Sequence, residues 1–280
     1  MSLFITSLNS GSNGNCYYVG NETEAILVDA GISCRETEKR MKRLDLSMSK
    51  VKAIFVSHEH SDHIRGIPVL AKKYGLPVYI TPGTLRYCRF SLESGLVQSF
   101  TAFDPVQIGS LSITAFPKLH DANDPYSFVV AYNGIKVGVF TDIGAPCEQL
   151  THYFKQCHAA FLEANYDEAL LENGRYPVYL KNRIRGGKGH LSNKQALTFF
   201  NAHKPAHMSC LILSHLSKEN NCPQLVHDLF SQHSAEVQIV VASRYEETPV
   251  YTICAAKVPS ENVVTTTRVS RTSSYQISLF

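Results

Sequence analysis

Several absences bound the chain before any motif is considered. Its eight cysteines form no C-x-x-C pair, so the paired-thiolate motif is excluded. No apolar run approaches the ~20 residues that a membrane-spanning helix needs. The start, Met1-Ser2-Leu3-Phe4-Ile5-Thr6, has neither a basic segment nor a long apolar one, so no secretory leader is expected. Without a route to an oxidising compartment the thiols are expected to be free, and the protein is expected to be soluble and cytoplasmic. A formal net charge of +3 is too small to announce a nucleic-acid partner, which only a local basic cluster would do. No linker or low-complexity stretch divides the chain, so a single hydrolase-sized domain over 1–280 is expected.

What is present is ordinary globular material, 44% hydrophobic and 18% charged, enough for a full core. Leu3–Leu8, Cys16–Val19 and Ala25–Val28 are β-rich runs separated by Gly/Asn/Ser turns, which predicts an antiparallel meander. An amphipathic helix over Arg35–Leu44 follows, its basic residues expected on an exposed face among Glu36, Glu38 and Asp45. Ile67, Leu70, Ala71 and Tyr74 form a helical stripe ended by Gly75. Strands are expected at Ala53–Val56, Leu111–Phe116, Ser127–Tyr132 and Lys136–Phe140, the last two joined by an Asn133-Gly134 type I′ turn. The second half is richer in helix, at Glu148–Phe154, Asp167–Leu171, Ser192–Ala202 and Gln224–Ser231, with Ser192 and Gln195 spaced as a capping box. Short strands at Ala159–Leu162, Cys210–Leu213 and Val237–Val241 lie between them. The Ser/Thr-rich tail after Pro259 is expected as an edge strand or a loose end.

One segment carries chemistry. His58-Glu59-His60-Ser61-Asp62-His63 packs ligand-type side chains into six residues at the exit of an apolar strand. A strand places residues i and i+2 on one side, so His58 and His60 are expected to face the same ion. Asp62 and His63, past the turn, would meet a second. Imidazole and carboxylate are ligands that zinc, manganese and iron accept. Ser57 and Ser61 read as turn residues.

This H-x-H-x-D-H pattern resembles that of the metallo-β-lactamase fold superfamily. Asp29 in Val28-Asp29-Ala30-Gly31, His120 in Leu119-His120-Asp121, Asp142 in Thr141-Asp142 and His215 in Ser214-His215 match that family's remaining motifs in order. The resemblance implies an α+β fold, an αββα four-layer sandwich of two mixed β-sheets flanked by helices. It implies a first metal on His58, His60 and His120, and a second on Asp62, His63 and His215. Asp142 would bridge the two, Asp62 would also serve catalysis, and Asp29 would orient a ligand by hydrogen bonding. Many true β-lactamases of this fold carry Cys at the Asp142 position, and its flavin-linked di-iron oxidoreductases carry Glu at the His60 position. Neither departure is present, which favours a binuclear hydrolase. Two adjacent dications lower the pKa of a bridging water and neutralise charge that develops on the electrophile.

Substrate class is not written in the ligands, because the superfamily cleaves lactams, lactones, thioesters and phosphodiesters. Gly189-His190-Leu191-Ser192-Asn193 resembles the second-half pattern of the tRNA 3′-processing nucleases of this fold, and by that likeness His190 would protonate a phosphodiester's leaving oxygen. Just ahead of it, RYPVYLKNRIRGGK (175–188) holds five basic residues and no acidic one. Arg183, Arg185, Lys188 and Asn193 are the candidate substrate contacts. Leu8–Cys16 is a small polar loop that reads as an anion-binding loop or a plain hairpin turn. Glu163 and Asn165 end a strand near the expected metal edge. Together with SLNSGSNGNCYYV, ILVDAGIS and LSHLSKENN, these stretches resemble the bacterial YycJ (WalJ)-like subgroup. That implies a DNA exonuclease directed to 5′ ends, with nucleic acid as partner and two zinc, manganese or iron ions as cofactor. A thioester or lactone hydrolase like glyoxalase II, or a tRNA 3′-processing endoribonuclease, are the alternatives. The stretch between Asp142 and His215 is too short for an inserted cap domain of on the order of 100 residues.

Overall fold

Burial along the first strand shows how the layers arise. In β1 (Ser2–Asn9), Leu3 and Ile5 face one core while Phe4 faces another, the two-residue period of a strand covered on both sides. The computed structural model describes residues 1–233 and 236–255; the expectation for the tail after Pro259 falls outside them. β2 (Cys16–Gly20) and β3 (Ala25–Val28) complete the antiparallel meander. α1 (Cys34–Arg43) then returns the chain to β4 (Val51–Phe55), which runs parallel to β3. The short helices α2 (Ser61–Ile64) and α3 (Ile67–Tyr74) lead to β5 (Val78–Tyr79), and α4 (Pro82–Tyr87) leads to β6 (Val97–Gln98), both strands parallel additions.

A second sheet begins with β7 (Val106–Ile108), β8 (Leu111–Pro117), β9 (Tyr126–Tyr132) and β10 (Ile135–Phe140), all antiparallel. After α5 (Glu148–Phe154), β11 (Ala159–Glu163) pairs in parallel with β10. α6 (Glu168–Asn173), α7 (Val178–Arg185) and α8 (Asn193–His203) precede β12 (Cys210–Ser214), and α9 (Pro223–Ser231) precedes β13 (Gln238–Val241). β14 (Tyr251–Cys254) returns to the open edge of β1. The two sheets have the orders β14-β1-β2-β3-β4-β5-β6 and β13-β12-β11-β10-β9-β8-β7.

The central core lies between the sheets, where Tyr17, Phe55, Phe128 and Phe161 meet. Met41 of α1 and Leu70 of α3 cover the outer face of the first sheet, and Phe154 and Phe200 of α5 and α8 cover that of the second. The result is the four-layer αββα sandwich, and no helix among the described residues is long and apolar enough to cross a membrane.

Local signals took effect where expected. Asn133 and Gly134 have φ of 46° and 81°, as a type I′ turn requires. Ser192 and Gln195 close a capping box, and Gly75 ends α3 at φ 62°. Other expectations fail. Arg40 is buried rather than exposed; its guanidinium donates to the Leu8 carbonyl at 2.7 Å and Asn9 Oδ1 at 2.8 Å, tying α1 to the polar loop. Tyr74 is exposed and donates to Glu38 at 2.7 Å. The very short β5, β6 and β7, and the helix α7, are additional.

Phe161 is fully buried with its ring centroid 4.9 Å from that of Tyr17. Phe161→Ala should therefore destabilise the protein by roughly 3–5 kcal/mol, read as a lower midpoint in urea unfolding followed by circular dichroism.

Candidate metal centre

Parallel strands end at one edge of the sandwich, and their carboxyl ends deliver the polar residues. Asp29 follows β3, the His58–His63 segment follows β4, and Asp142 lies just past β10. Glu163 ends β11, and His215 follows β12. Asp29, Asp142 and His215 hold left-handed backbones, with φ of 60°, 56° and 58°, a conformation that costs a non-glycine residue on the order of 1–3 kcal/mol. Only firm anchoring on every side keeps such turns.

The anchors can be named. Asp29 accepts from Ser57 N at 2.8 Å, Ser57 Oγ at 2.7 Å and His63 Nδ1 at 2.7 Å. Ser57 Oγ thus spends its proton on Asp29 and must accept from His58 Nδ1, 2.9 Å away. His120 Nδ1 donates to the Gly189 carbonyl at 3.1 Å, and His215 Nδ1 to Glu163 Oε1 at 3.0 Å. In each imidazole this leaves the far nitrogen, Nε2, facing the cluster, where it can take a cation once it carries no proton. The His215 backbone is pinned by Ser10 Oγ on its N–H and by Asn165 Nδ2 on its carbonyl, both at 2.7 Å. Asn15 holds Asp62 by its amide N–H on the Asp62 carbonyl at 2.6 Å and by Nδ2 on Oδ2 at 3.1 Å. A Cβ on Gly31 would strike that same carbonyl, so only glycine lets the β3 turn approach.

These restraints bring the donor atoms together. His58 Nε2 and His120 Nε2 lie 3.0 and 3.4 Å from His60 Nδ1. Asp62 Oδ2 lies 3.5 Å from both His63 Nε2 and His215 Nε2. Asp142 stands between the triads, 3.3 Å from His63 Nε2 through one oxygen and 3.8 Å from His120 Nε2 through the other. His58 and His60 converge from a loop and not from one face of a strand, contrary to expectation, because β4 stops at Phe55.

The donor set fits divalent cations. Asp142 Oδ2 and His215 Nε2 are buried without a hydrogen-bond partner among the described residues, a costly state that a bound cation would relieve. Burial pushes His58 well below the usual imidazole range and His120 down to about 4. At His63 and His215 burial acts in the same direction but is outweighed by the carboxylates. Asp142, Asp29 and Asp62 hold His63 well above its ordinary value, and Asp142, Asp62 and Glu163 hold His215 up at about 10. Burial opposes ionisation of Asp142 too, yet His215 and His63 keep it well below the carboxylate range.

Residues 24–215 match the Beta-lactamase superfamily domain. The chain is 34% identical to exodeoxyribonuclease YycJ of Bacillus anthracis, over 88% of this chain and 94% of that one. It is 31% identical to exodeoxyribonuclease WalJ of Streptococcus pneumoniae, over 84% and 89%. The chain belongs to the β-lactamase superfamily. Among solved structures, the metallo-β-lactamase fold protein YhfI of Bacillus subtilis superposes with a TM-score of 0.69 at 17% identity, over 90% of this chain and 100% of that one. This member of the superfamily is a hydrolase of the metallo-β-lactamase fold with a His/Asp cluster suited to divalent metal.

Around that cluster the remaining superfamily-derived expectations fall unevenly. His190 enters the site, its ring centroid 5.3 Å from that of His120 and 5.2 Å from that of His215, with Nδ1 2.8 Å from Glu163 Oε1. Arg183 is exposed and bonded to Asp121, the neighbour of His120. Arg185 turns away to Glu172 at 2.9 Å, and Lys188 is exposed. Asn193 lies on the first turn of α8. It is buried, and its amide is closed in a reciprocal pair with Asn221 at 3.0 and 2.9 Å.

Sequence reasoning missed Asn15 and the bridging part of Ser57, and left Glu163 undecided. Glu163 is fully buried and also accepts from Ile143 N and Leu191 N at 2.8 and 3.1 Å. Burial works against its ionisation, but His190 and His215 hold it down to about 2.

Because His63 and His215 keep protons at neutral pH in the metal-free site, loading a cation must expel them. Metal affinity should rise with pH. Zinc titrated into metal-free protein at pH 7 should release protons, measurable in weakly buffered solution; uptake or no change would contradict these protonation states.

Proposed function

We propose that the protein is a binuclear metal-dependent phosphodiesterase, a DNA exonuclease directed to 5′ ends and working in the cytoplasm. In this reading His58, His60 and His120 hold one ion, Asp62, His63 and His215 hold the other, and Asp142 bridges them. The named exodeoxyribonuclease relatives support nucleic acid as the substrate class. The observation that carries the reading is the His190–Glu163 pair beside the ligand cluster, a proton-handling dyad that a thioester or lactone hydrolase does not need.

When bound, a pair of zinc, manganese or iron ions supplies Lewis-acid charge to a phosphate and acidifies water. The chain's own groups do the rest. Glu163 fixes His190 through Nδ1, so its Nε2 is the atom turned to deliver a proton to the leaving oxygen. The same Glu163 oxygen meets His215 Nδ1, so one carboxylate sets the orientation of both rings. Asp62, restrained by Asn15, combines a ligand's role with orienting the attacking water. Arg183 and Lys188, exposed beyond Asp121, meet phosphates farther along the strand.

End-labelled DNA and RNA, each incubated with zinc or manganese, test the reading against a His58→Ala control. Processive loss of a 5′ label from DNA is expected. Label loss confined to 3′ ends or to RNA would overturn the assignment. His190→Ala should slow cleavage by roughly 10²–10⁴-fold with metal content unchanged by mass spectrometry. If the metal is lost instead, His190 is a ligand and not the acid.

Replacing Arg183 and Lys188 by Ala should lower affinity for DNA and make its salt dependence shallower, the logarithmic slope changing by about one per lost phosphate contact. Filter binding across a salt series reads this, and an unaltered slope would remove α7 and its flank from the substrate path.

A further inference from the structure

On the His60 side of the metal centre lies a cleft of about 670 Å³ whose walls include Arg65, Tyr87, Arg89 and Phe90. Because His60 itself lines the cleft, anything lying there is continuous with a group held at the ligand cluster. Tyr87 is 54% exposed, a large aromatic face left open where it ends α4. Phe90 is half-buried and packs on the core beneath α1 and α3, so that wall is held in place. The Arg89 side chain is exposed with no hydrogen bond or ion pair among the described residues, where the Arg65 guanidinium donates only to the Asn13 carbonyl, at 2.6 Å. Two guanidiniums without acidic partners beside open aromatic surface are what a nucleic-acid strand requires: charge for phosphates and a flat ring for a base. The volume lies within the ~300–1,000 Å³ range of small-molecule sites, a nucleotide scale rather than a duplex one. A base inside a duplex is stacked on both faces, so only a base at or beyond a strand end has a face to offer Tyr87.

We infer that this cleft is a binding track for the unpaired end of a nucleic-acid strand, Tyr87 stacking on a base while Arg65 and Arg89 contact phosphates next to the one being cleaved. The inference rests on the phosphodiesterase reading and deepens it by naming the residues that hold the strand end beside the ligand cluster.

The test compares kcat/KM of the metal-loaded protein on a single-stranded oligonucleotide and on methyl p-nitrophenyl phosphate, a diester without a base. Tyr87→Ala should reduce the ratio of the two on the order of tenfold, the scale of one lost base–aromatic stack. Tyr87→Phe, which keeps the ring, should retain the ratio. Arg89→Ser should raise KM for the oligonucleotide more than it lowers kcat. A ratio unmoved by Tyr87→Ala, or lowered as much by Tyr87→Phe, overturns the track. Unaltered protein that splits the small diester but no oligonucleotide overturns the nuclease reading itself.

Discussion

Carboxylates and imidazoles repel their own kind when taken out of water, and here they are taken out of water together. Asp29, Asp142 and Glu163 are buried, as are His58, His63, His120 and His215. At an effective dielectric of about 20, charges ~4 Å apart interact by roughly 4 kcal/mol, so the cluster persists only with opposite charges interleaved. In the metal-free protein the protons on His63 and His215 provide that interleaving. A divalent cation would do it better, because it would satisfy Asp142 Oδ2 and His215 Nε2, which no hydrogen bond reaches among the described residues. The rest of the architecture serves to hold these groups at that spacing.

How the backbone bears the load follows from the turns. Three strand ends bend through left-handed residues at the ligand cluster, and each is held by hydrogen bonds from remote parts of the chain. The polar loop after β1 does much of this: Ser10 meets His215, Asn15 meets Asp62, and Arg40 fastens Leu8 and Asn9 to α1. Tyr17 joins this loop to the inter-sheet core, donating to Asn15 Oδ1 at 3.1 Å while its ring packs on Phe161. The centre and the core are thus mechanically one object. Lys118, buried with Nζ donating to the Thr141 carbonyl at 2.7 Å, adds a positive charge beneath Asp142 and braces the turn that carries it.

Legibility in the sequence followed the range of the forces involved. The meander, the Asn133-Gly134 hairpin and the Ser192 capping box are set by neighbours a few residues apart, and all were readable. α7 was not, because it buries none of its residues and so writes no apolar stripe. β5 and β6, two residues each, are shorter than any periodic signal. Arg40 and Asn193 look like surface residues locally; only their distant partners reveal that both are buried.

The same division holds for the ligand cluster. Side-chain chemistry, compressed into His58–His63 and repeated in order at His120, Asp142 and His215, declared by itself that the protein handles metal. Which nitrogen of each imidazole faces inward, that Asn15 and Glu163 hold the cluster's side chains, and that Asn193 is buried against Asn221 were decided only when strands far apart in sequence met. Ligand identity is a property of the residue, whereas protonation, orientation and access depend on what burial places beside it.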